Sequence, residues 1–311
     1  MKNFKIIALI LIILSIFLEF FVFNNDTKLK NEHPLVSVST FALYDITKHI
    51  AGETISLVNI LPFGVDPHNF ELTPKLMAEI ESSSLILYSG AGLEPWISKI
   101  TFKHRAIDMS KYVVLRELAS DEFEFHKHHD GQCAHNRLDP HYWLDFNNMQ
   151  KSAVVITKEL VKLQPKYEKK YIKNRDTYIS MLKRLDENYT KNLSSCRLNT
   201  IVLNHNSIGY LAKKYHFHTT SLSGLSPEAN PTPNDIKRVF NKIKNDGITT
   251  IFYENFVNSK AMKVIAKDAG VTIEVLQPLA NITADEAKQN STYETMMYIN
   301  LKKLSKAMMC P

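Results

Sequence analysis

Residues 165–196 read PKYEKKYIKNRDTYISMLKRLDENYTKNLSSC, with no glycine and no proline after Pro165. Tyr171, Tyr178, Leu182, Leu185, Tyr189 and Leu193 recur at spacings of seven, four, three, four and four. That is one apolar stripe along an otherwise charged helix. Pro165 suits the first turn, where its missing N–H is not needed. About 30 residues at about 1.5 Å each predict a rod of about 45 Å. A long surface helix within one domain would show the same stripe. The position of the rod between two series of alternating elements favours a connecting spine.

Upstream, short β-branched apolar runs at 35–40, 55–61, 85–88 and 106–108 read as strands, with helical patterns at 43–51 and 74–82. Downstream, strands are expected at 200–204, 217–221, 248–253 and 271–276, and helices at 207–215, 233–245, 259–269 and 293–309. Strand–helix alternation in both halves implies sheets that are largely parallel. The expected fold is α/β: an N-terminal lobe over 33–164, a linking helix over 165–195 and a C-terminal lobe over 197–311. A chain of 311 residues is long enough for two lobes.

At the N-terminus, Lys2 and Lys5 precede an apolar run from Ile6 to Phe23, broken by Ser15 and Glu19. Residues 1–25 therefore read as a secretory signal. The run is also near the length that spans a bilayer, so an uncleaved anchor stays open. No small-x-small site precedes Asn24, and no cysteine lies nearby to accept a lipid.

Composition excludes several classes. A hydrophobic share of 44% is too high for a disordered chain. The net charge of +6 is spread along the sequence rather than gathered as a nucleic-acid footprint. An anionic membrane surface or an acidic partner remains compatible with it. Cys133, Cys196 and Cys310 contain no C-x-x-C pair, which excludes a zinc ribbon or a thioredoxin-type motif. Spacing alone does not say whether Cys196 and Cys310 pair. There is no G-x-x-x-x-G-K-[ST], G-x-S-x-G or H-E-x-x-H. Ser89-Gly90-Ala91-Gly92 resembles half a dinucleotide fingerprint but lacks its third glycine, and reads as a tight strand-to-helix turn.

Histidine is the residue type that stands out. Five of the twelve lie between 126 and 141. His126, His128, His129 and His135 share an aperiodic stretch with Asp130-Gly131, a surface loop over about 121–137. Its imidazoles are candidate accessory metal ligands, with Cys133 a further soft donor. His68, His141 and His205 are placed differently, each beside the end of an element. Two sit in Asp-Pro-His tripeptides, and His205 follows the strand that ends at Asn204. In open α/β sheets ligands bind beyond the carboxyl ends of strands. Neutral imidazole is a usual ligand of zinc.

The segments Asp66-Pro67-His68, Tyr88-Ser-Gly-Ala-Gly-Leu-Glu-Pro-Trp96, Asp139-Pro-His-Tyr-Trp-Leu-Asp145 and Asn204-His205 resemble the metal-binding subunits of ABC-type zinc and manganese importers. The resemblance runs from about Pro34 to Met309, and the DPHYWLD block is its most specific part. It implies two α/β lobes joined by one long helix, with the metal between them. It also implies His68, His141 and His205 as ligands. Histidine at 205 marks zinc-type members where manganese-type ones carry glutamate, so the resemblance points to Zn2+ ahead of Mn2+. Members often place an aspartate in an Asp-Pro-Leu turn after the last core strand, where this chain has Gln277-Pro278-Leu279. A neutral amide is a poor zinc ligand, which leaves water or a nearby carboxylate for the fourth position. Glu254 is the candidate, with capping or bracing as its alternative role. Asp66 and Glu71 are candidates to orient His68.

The function implied is extracytoplasmic capture of Zn2+ and its delivery to a membrane permease with a cytoplasmic ATPase. The chain is expected to act as a monomer, with no reaction of its own and no nucleic acid. The alternatives are a zinc-dependent hydrolase, since three histidines and an open position also describe a catalytic site, and a manganese-type binding protein or surface adhesin on the same fold.

Overall fold

The computed structural model describes residues 33–118, 138–224, 231–255 and 259–311. The expected signal or anchor at 1–25 lies outside them, as do His126, His128, His129, His135 and Cys133. The first sheet holds β1 (Leu35–Val38), β2 (Ser56–Asn59), β3 (Leu85–Tyr88) and β4 (Arg105–Asp108) in the order β2-β1-β3-β4. A short antiparallel ribbon of β5 (Arg116–Glu117) and β6 (Leu138–Asp139) follows. The second sheet holds β7 (Thr200–Leu203), β8 (His218–Ser221), β9 (Thr250–Tyr253) and β10 (Thr272–Val275) in the order β10-β9-β7-β8. All pairings in the two larger sheets are parallel. Their central strands are buried on both faces, which is why β1, β3 and β7 read as short apolar runs rather than alternating ones.

The helices of the first half are α1 (Phe41–Ala51), α2 (Pro74–Glu81) and α3 (Phe146–Leu163). The spine is α4 (Glu168–Leu193). After it come α5 (Gly209–Tyr215), α6 (Pro233–Asn245), α7 (Lys260–Ala269), α8 (Ala284–Lys288) and α9 (Tyr293–Ala307). Helix α6 starts as its sequence dictates: Thr232 and Asp235 form a reciprocal capping box, and Pro233 occupies the first turn.

Pro165 does not open the spine. It opens a separate 3-10 turn (Pro165–Tyr167), and α4 begins at Glu168. Its 26 residues give a length of about 39 Å, shorter than the sequence suggested. Every residue of the stripe is buried, with Met181 added. The tyrosines in it have a second purpose, since a buried phenol needs a hydrogen-bond partner. Tyr171 reaches Thr54 Oγ1 (2.6 Å) and Tyr178 donates to Asp45 Oδ2 (2.9 Å), both in the first lobe. Tyr189 donates to Met297 O (2.7 Å) on α9. One stripe thus fastens elements from both halves, and α1, α3 and α9 all pack along α4. The apolar core runs without a break from β1 and α1 through α4 to α9.

Two further ties follow, one between the end of the spine and the C-terminus and one between the halves. Cys196, just past α4, is disulfide-bonded to Cys310 beyond α9. The segment 278–283 crosses from the second lobe to the first. Its carbonyls at Ala280 and Leu279 accept from Phe41 N (2.9 Å) and Ala42 N (3.2 Å), which supplies partners to the first turn of α1. Asn281 Nδ2 donates to Pro62 O (2.6 Å) and Val65 O (2.8 Å), and Gly64 N donates to Ile282 O (2.9 Å). The loop that leads to His68 is therefore pinned by the strap.

The Ser89–Gly92 turn explains its partial likeness to a phosphate loop. Gly90, Ala91 and Gly92 all have positive φ, and at Gly90 a Cβ would fall 1.9 Å from Asp108 Oδ1. The backbone amides so presented are filled by the chain's own Glu94. Its carboxylate accepts from Ser89 N (2.8 Å), Gly90 N (2.9 Å) and Ser39 Oγ (2.5 Å). Burial pushes Glu94 up to about 7 against these donors. A carboxyl protonated in the folded state and ionised in the unfolded one loses stability as pH rises between the two values. The wild-type chain is therefore expected to lose about 3 kcal/mol relative to Glu94→Gln between about pH 4.5 and 7. Urea melts of both proteins across that range check it, and parallel pH profiles would contradict it.

Candidate metal centre

Three turns at the ends of elements build the site. In each Asp-Pro-His tripeptide the aspartate folds back onto the histidine two residues on. Asp66 Oδ1 accepts from His68 N (2.7 Å) and Asp139 Oδ1 from His141 N (3.0 Å). The proline restricts the aspartate's backbone to the extended region, so the turn is set by local sequence alone. His205 stands two residues beyond β7.

The structure brings these three histidines together. Ring centroids are 5.6 Å apart for His68–His141, 5.6 Å for His141–His205 and 6.5 Å for His68–His205. Three imidazoles on one tetrahedral zinc, with Zn–N of about 2.0–2.1 Å, would have centroids about 5 Å apart. Among the described residues no group of three or more His, Cys, Asp or Glu side chains already stands tight enough to hold an ion as it is. The rings are nevertheless within roughly 1.5 Å of that arrangement, a shift within reach of side-chain rotation and small loop movement.

A carboxylate stands behind two of the rings. Asp139 Oδ1 is 2.8 Å from His141 Nδ1. The carboxylate fixes the proton on Nδ1 and turns the Nε2 lone pair outward. Asp139 has no exposure, and burial pushes its carboxyl up. The hydrogen bond from His141 and the charges of His141 and Arg116 outweigh that and hold it below the usual range. Glu254 Oε1 is 2.9 Å from His205 Nδ1, angled away from an ideal hydrogen bond, and accepts from Ser207 Oγ (2.9 Å). Burial lowers the His205 pKa, but Glu254, with Asp66 and Asp139 beyond, raises it to a net value above 6.5.

Glu254, expected as a candidate fourth ligand, thus lies against the ring nitrogen of His205. Its contacts are with the side chains of His205 and Ser207 rather than with a helix end or a backbone turn. Glu71 is exposed, and Asp66 orients the backbone of His68. Gln277 donates from its amide nitrogen to Glu286 of α8, and its backbone is held by Asn300.

The DPHYWLD block resolves into separate duties. Asp139 orients His141. Trp143 packs edge-on to the His141 ring, centroids 5.4 Å apart, and donates from Nε1 to Pro278 O (2.7 Å) of the strap. Asp145 caps α3 by accepting from Asn147 N (2.7 Å) and Asn148 N (3.3 Å). Sequence alone missed Arg116 and Tyr210. Arg116 Nη2 lies 2.7 Å from Asp139 Oδ2, and Tyr210 donates to Asp139 O (2.8 Å). Neither stands in a motif.

The family model described as zinc-uptake complex component A, periplasmic, matches residues 36–307. The zinc-binding protein AdcA of Streptococcus pyogenes serotype M1 is 28% identical over 316 residues, covering 96% of this chain and 61% of that protein. The chain thus spans about three fifths of that relative's length. The high-affinity zinc uptake system protein ZnuA of Bacillus subtilis (strain 168) is 28% identical over 295 residues, 92% of each chain. Among solved structures, the laminin-binding protein Lmb of Streptococcus agalactiae superposes with a TM-score of 0.77 at 29% identity, covering 88% and 99% of the two chains. It is described as bifunctional, with adhesin and metal-transporting activity. The Zn(II)-bound ZnuA-like domain of Streptococcus pneumoniae AdcA gives 0.73 at 26% identity, with 88% and 98% covered.

Proposed function

Because the chain belongs to the family of zinc-uptake complex component A proteins, we propose that it captures Zn2+ outside the cytoplasm for delivery to an ABC-type permease and its ATPase. The observation that carries this reading is the meeting of His68, His141 and His205, two of them with a buried carboxylate within 2.9 Å of a ring nitrogen. Three neutral nitrogens suit Zn2+ better than Mn2+, which favours oxygen. Glu254 acts through His205, and water takes the fourth position. In this reading the chain is a binding protein rather than an enzyme, it works as a monomer, and residues 1–25 direct or anchor it at the outer face of the membrane. Among the described residues no helix is long and apolar enough to cross a membrane. The loop histidines His126, His128, His129 and His135 add weak sites that raise the local zinc concentration.

Competition titration against a zinc chelator tests this, on the full chain and on a chain lacking 119–137. One tight equivalent is expected in both, with extra weak binding in the full chain alone; loss of the tight equivalent with the loop would contradict the reading. Proton competition gives a second check. Each ligand must be neutral to bind, and Glu254 raises His205 above 6.5. Affinity should therefore begin to fall above pH 6.5 and keep falling to pH 5.5. Glu254→Gln should move that onset to lower pH. An affinity independent of pH over this range would rule out a centre of three imidazoles.

A further inference from the structure

Arg116 leaves β5 with a side chain only 9% exposed. Its Nε and Nη2 lie 3.0 and 2.7 Å from Asp139 Oδ2. The other oxygen of the same carboxylate serves His141, at the backbone N and at Nδ1. The carboxylate is therefore divided, one oxygen for the guanidinium and one for the imidazole. A buried carboxylate with one partner could rotate or tilt; held from both sides, it presents Oδ1 in a single direction.

The guanidinium is also seated against the second lobe. Gly209 is the first residue of α5, four positions after His205. A Cβ there would lie 2.1 Å from Arg116 Nη2 and 2.4 Å from its Cζ. Next to it, Tyr210 accepts from Arg116 N (2.8 Å) through the same hydroxyl that donates to Asp139 O (2.8 Å). Two consecutive residues of the lobe that carries His205 thus hold both members of the pair that orients His141.

We propose that Arg116 is a positioning residue for metal capture. It acts through Asp139 to hold His141 with Nε2 toward the ion, and its seat on Gly209 and Tyr210 makes that orientation depend on the docking of the second lobe. This rests on the zinc-centre reading above and adds a linkage to it. Setting the His141 ring and docking the lobe that brings His205 become one event, so a lobe shift that withdraws His205 also frees the carboxylate behind His141. Lysine cannot reproduce the role, because it lacks the forked, planar donor set.

Chelator-competition titration of the full chain tests the proposal. Arg116→Gln and Gly209→Ala are each expected to lower zinc affinity 10- to 100-fold, the usual cost of losing a group that orients a ligand. In an Asp139→Asn background Arg116→Gln should cost less than about threefold more, because the relay is already cut. The visible spectrum of the Co2+-loaded Arg116→Gln protein should shift in the same way as that of Asp139→Asn. Gly209 has no positive φ, and alanine is the better helix former. The added methyl must displace the guanidinium, so Gly209→Ala should lose affinity by an amount that shrinks below about threefold in the Asp139→Asn background, a dependence that a purely structural role does not give. It also decides the matter if Arg116→Gln does not fold. Wild-type affinity in Arg116→Gln and Gly209→Ala, or an equal loss from Arg116→Gln in both Asp139 backgrounds, overturns the proposal. His205→Ala is run alongside. If it keeps tight zinc, the zinc-centre reading fails; if it loses tight zinc while the other two variants are unaffected, only the role of Arg116 fails.

Discussion

Replacing His205 by alanine is expected to lower zinc affinity about a thousandfold, and His68→Ala and His141→Ala should do the same. Structural zinc sites bind with about 10–16 kcal/mol shared over their ligands, so one imidazole contributes about 3–4 kcal/mol, a factor of several hundred to a thousand. The three variants should differ in what they leave behind. His141→Ala takes the ring partner from Asp139 Oδ1, a fully buried carboxylate that keeps Arg116 and the backbone N–H of residue 141. His205→Ala strands Glu254, which is 3% exposed and retains Ser207. A buried carboxylate that loses the ring beside it carries a penalty, so these two variants should also melt earlier than wild type without metal. His68 is only half-buried, unlike His141 and His205. Its loss should therefore cost affinity with little cost in stability. Chelator competition and thermal melts on the metal-free proteins measure both quantities. Three variants that all retain tight zinc would remove the basis for the site.

Opening the Cys196–Cys310 disulfide should give the largest loss of stability. The bond closes a loop with a sequence separation of 114. Chain-entropy arguments give about 4–5 kcal/mol for a loop of that size, or roughly 10 °C in melting temperature for a chain this long. The location adds to the effect. The bond joins the end of α4 to the segment after α9, where Leu198 N donates to Met308 O (2.9 Å) and Arg197 N to Met309 O (3.4 Å). Without the bond, α9 can peel from the spine stripe, and Tyr189 loses its acceptor on Met297. Cys196→Ser with Cys310→Ser, compared in a Cys133→Ser background that prevents thiol exchange, should show the drop while zinc affinity at 25 °C stays near that of the parent. A fully reduced protein that melts with the oxidised one would contradict it.

The parts of this fold that repeat along the chain were readable from it. The eight strands of the two large sheets stand within the apolar runs, give or take a residue, because a buried parallel strand leaves a contiguous β-branched signature. The stripe from Tyr171 to Leu193 located the spine because a helix buried on one face repeats at its own period. Pro165 misled at the boundary: a proline fits the first turn of an α-helix and the start of a 3-10 turn equally well. His68 and His141 were legible through their turns, since an aspartate two residues before a histidine and separated by proline carries its geometry locally, whereas His205 was marked only by its place just beyond a strand. The groups that act on them from a distance were not. Arg116 meets Tyr210 across 94 positions, and Asn281 meets Pro62 across 219. No periodicity or spacing marks such pairs, and only the folded chain reveals them. The same holds for the disulfide, which spacing left open. The SGAG turn was correctly set apart from a nucleotide loop, but its occupant, Glu94, shows only in three dimensions.

Extended X-ray absorption at the zinc edge, on the full chain loaded with one equivalent, reads the ligands of the His68–His141–His205 centre directly. Three imidazole nitrogens and one oxygen at about 2.0–2.1 Å are expected, with the outer-shell scattering that imidazole rings produce. A sulfur scatterer at about 2.3 Å, or an oxygen shell without imidazole scattering, would contradict it.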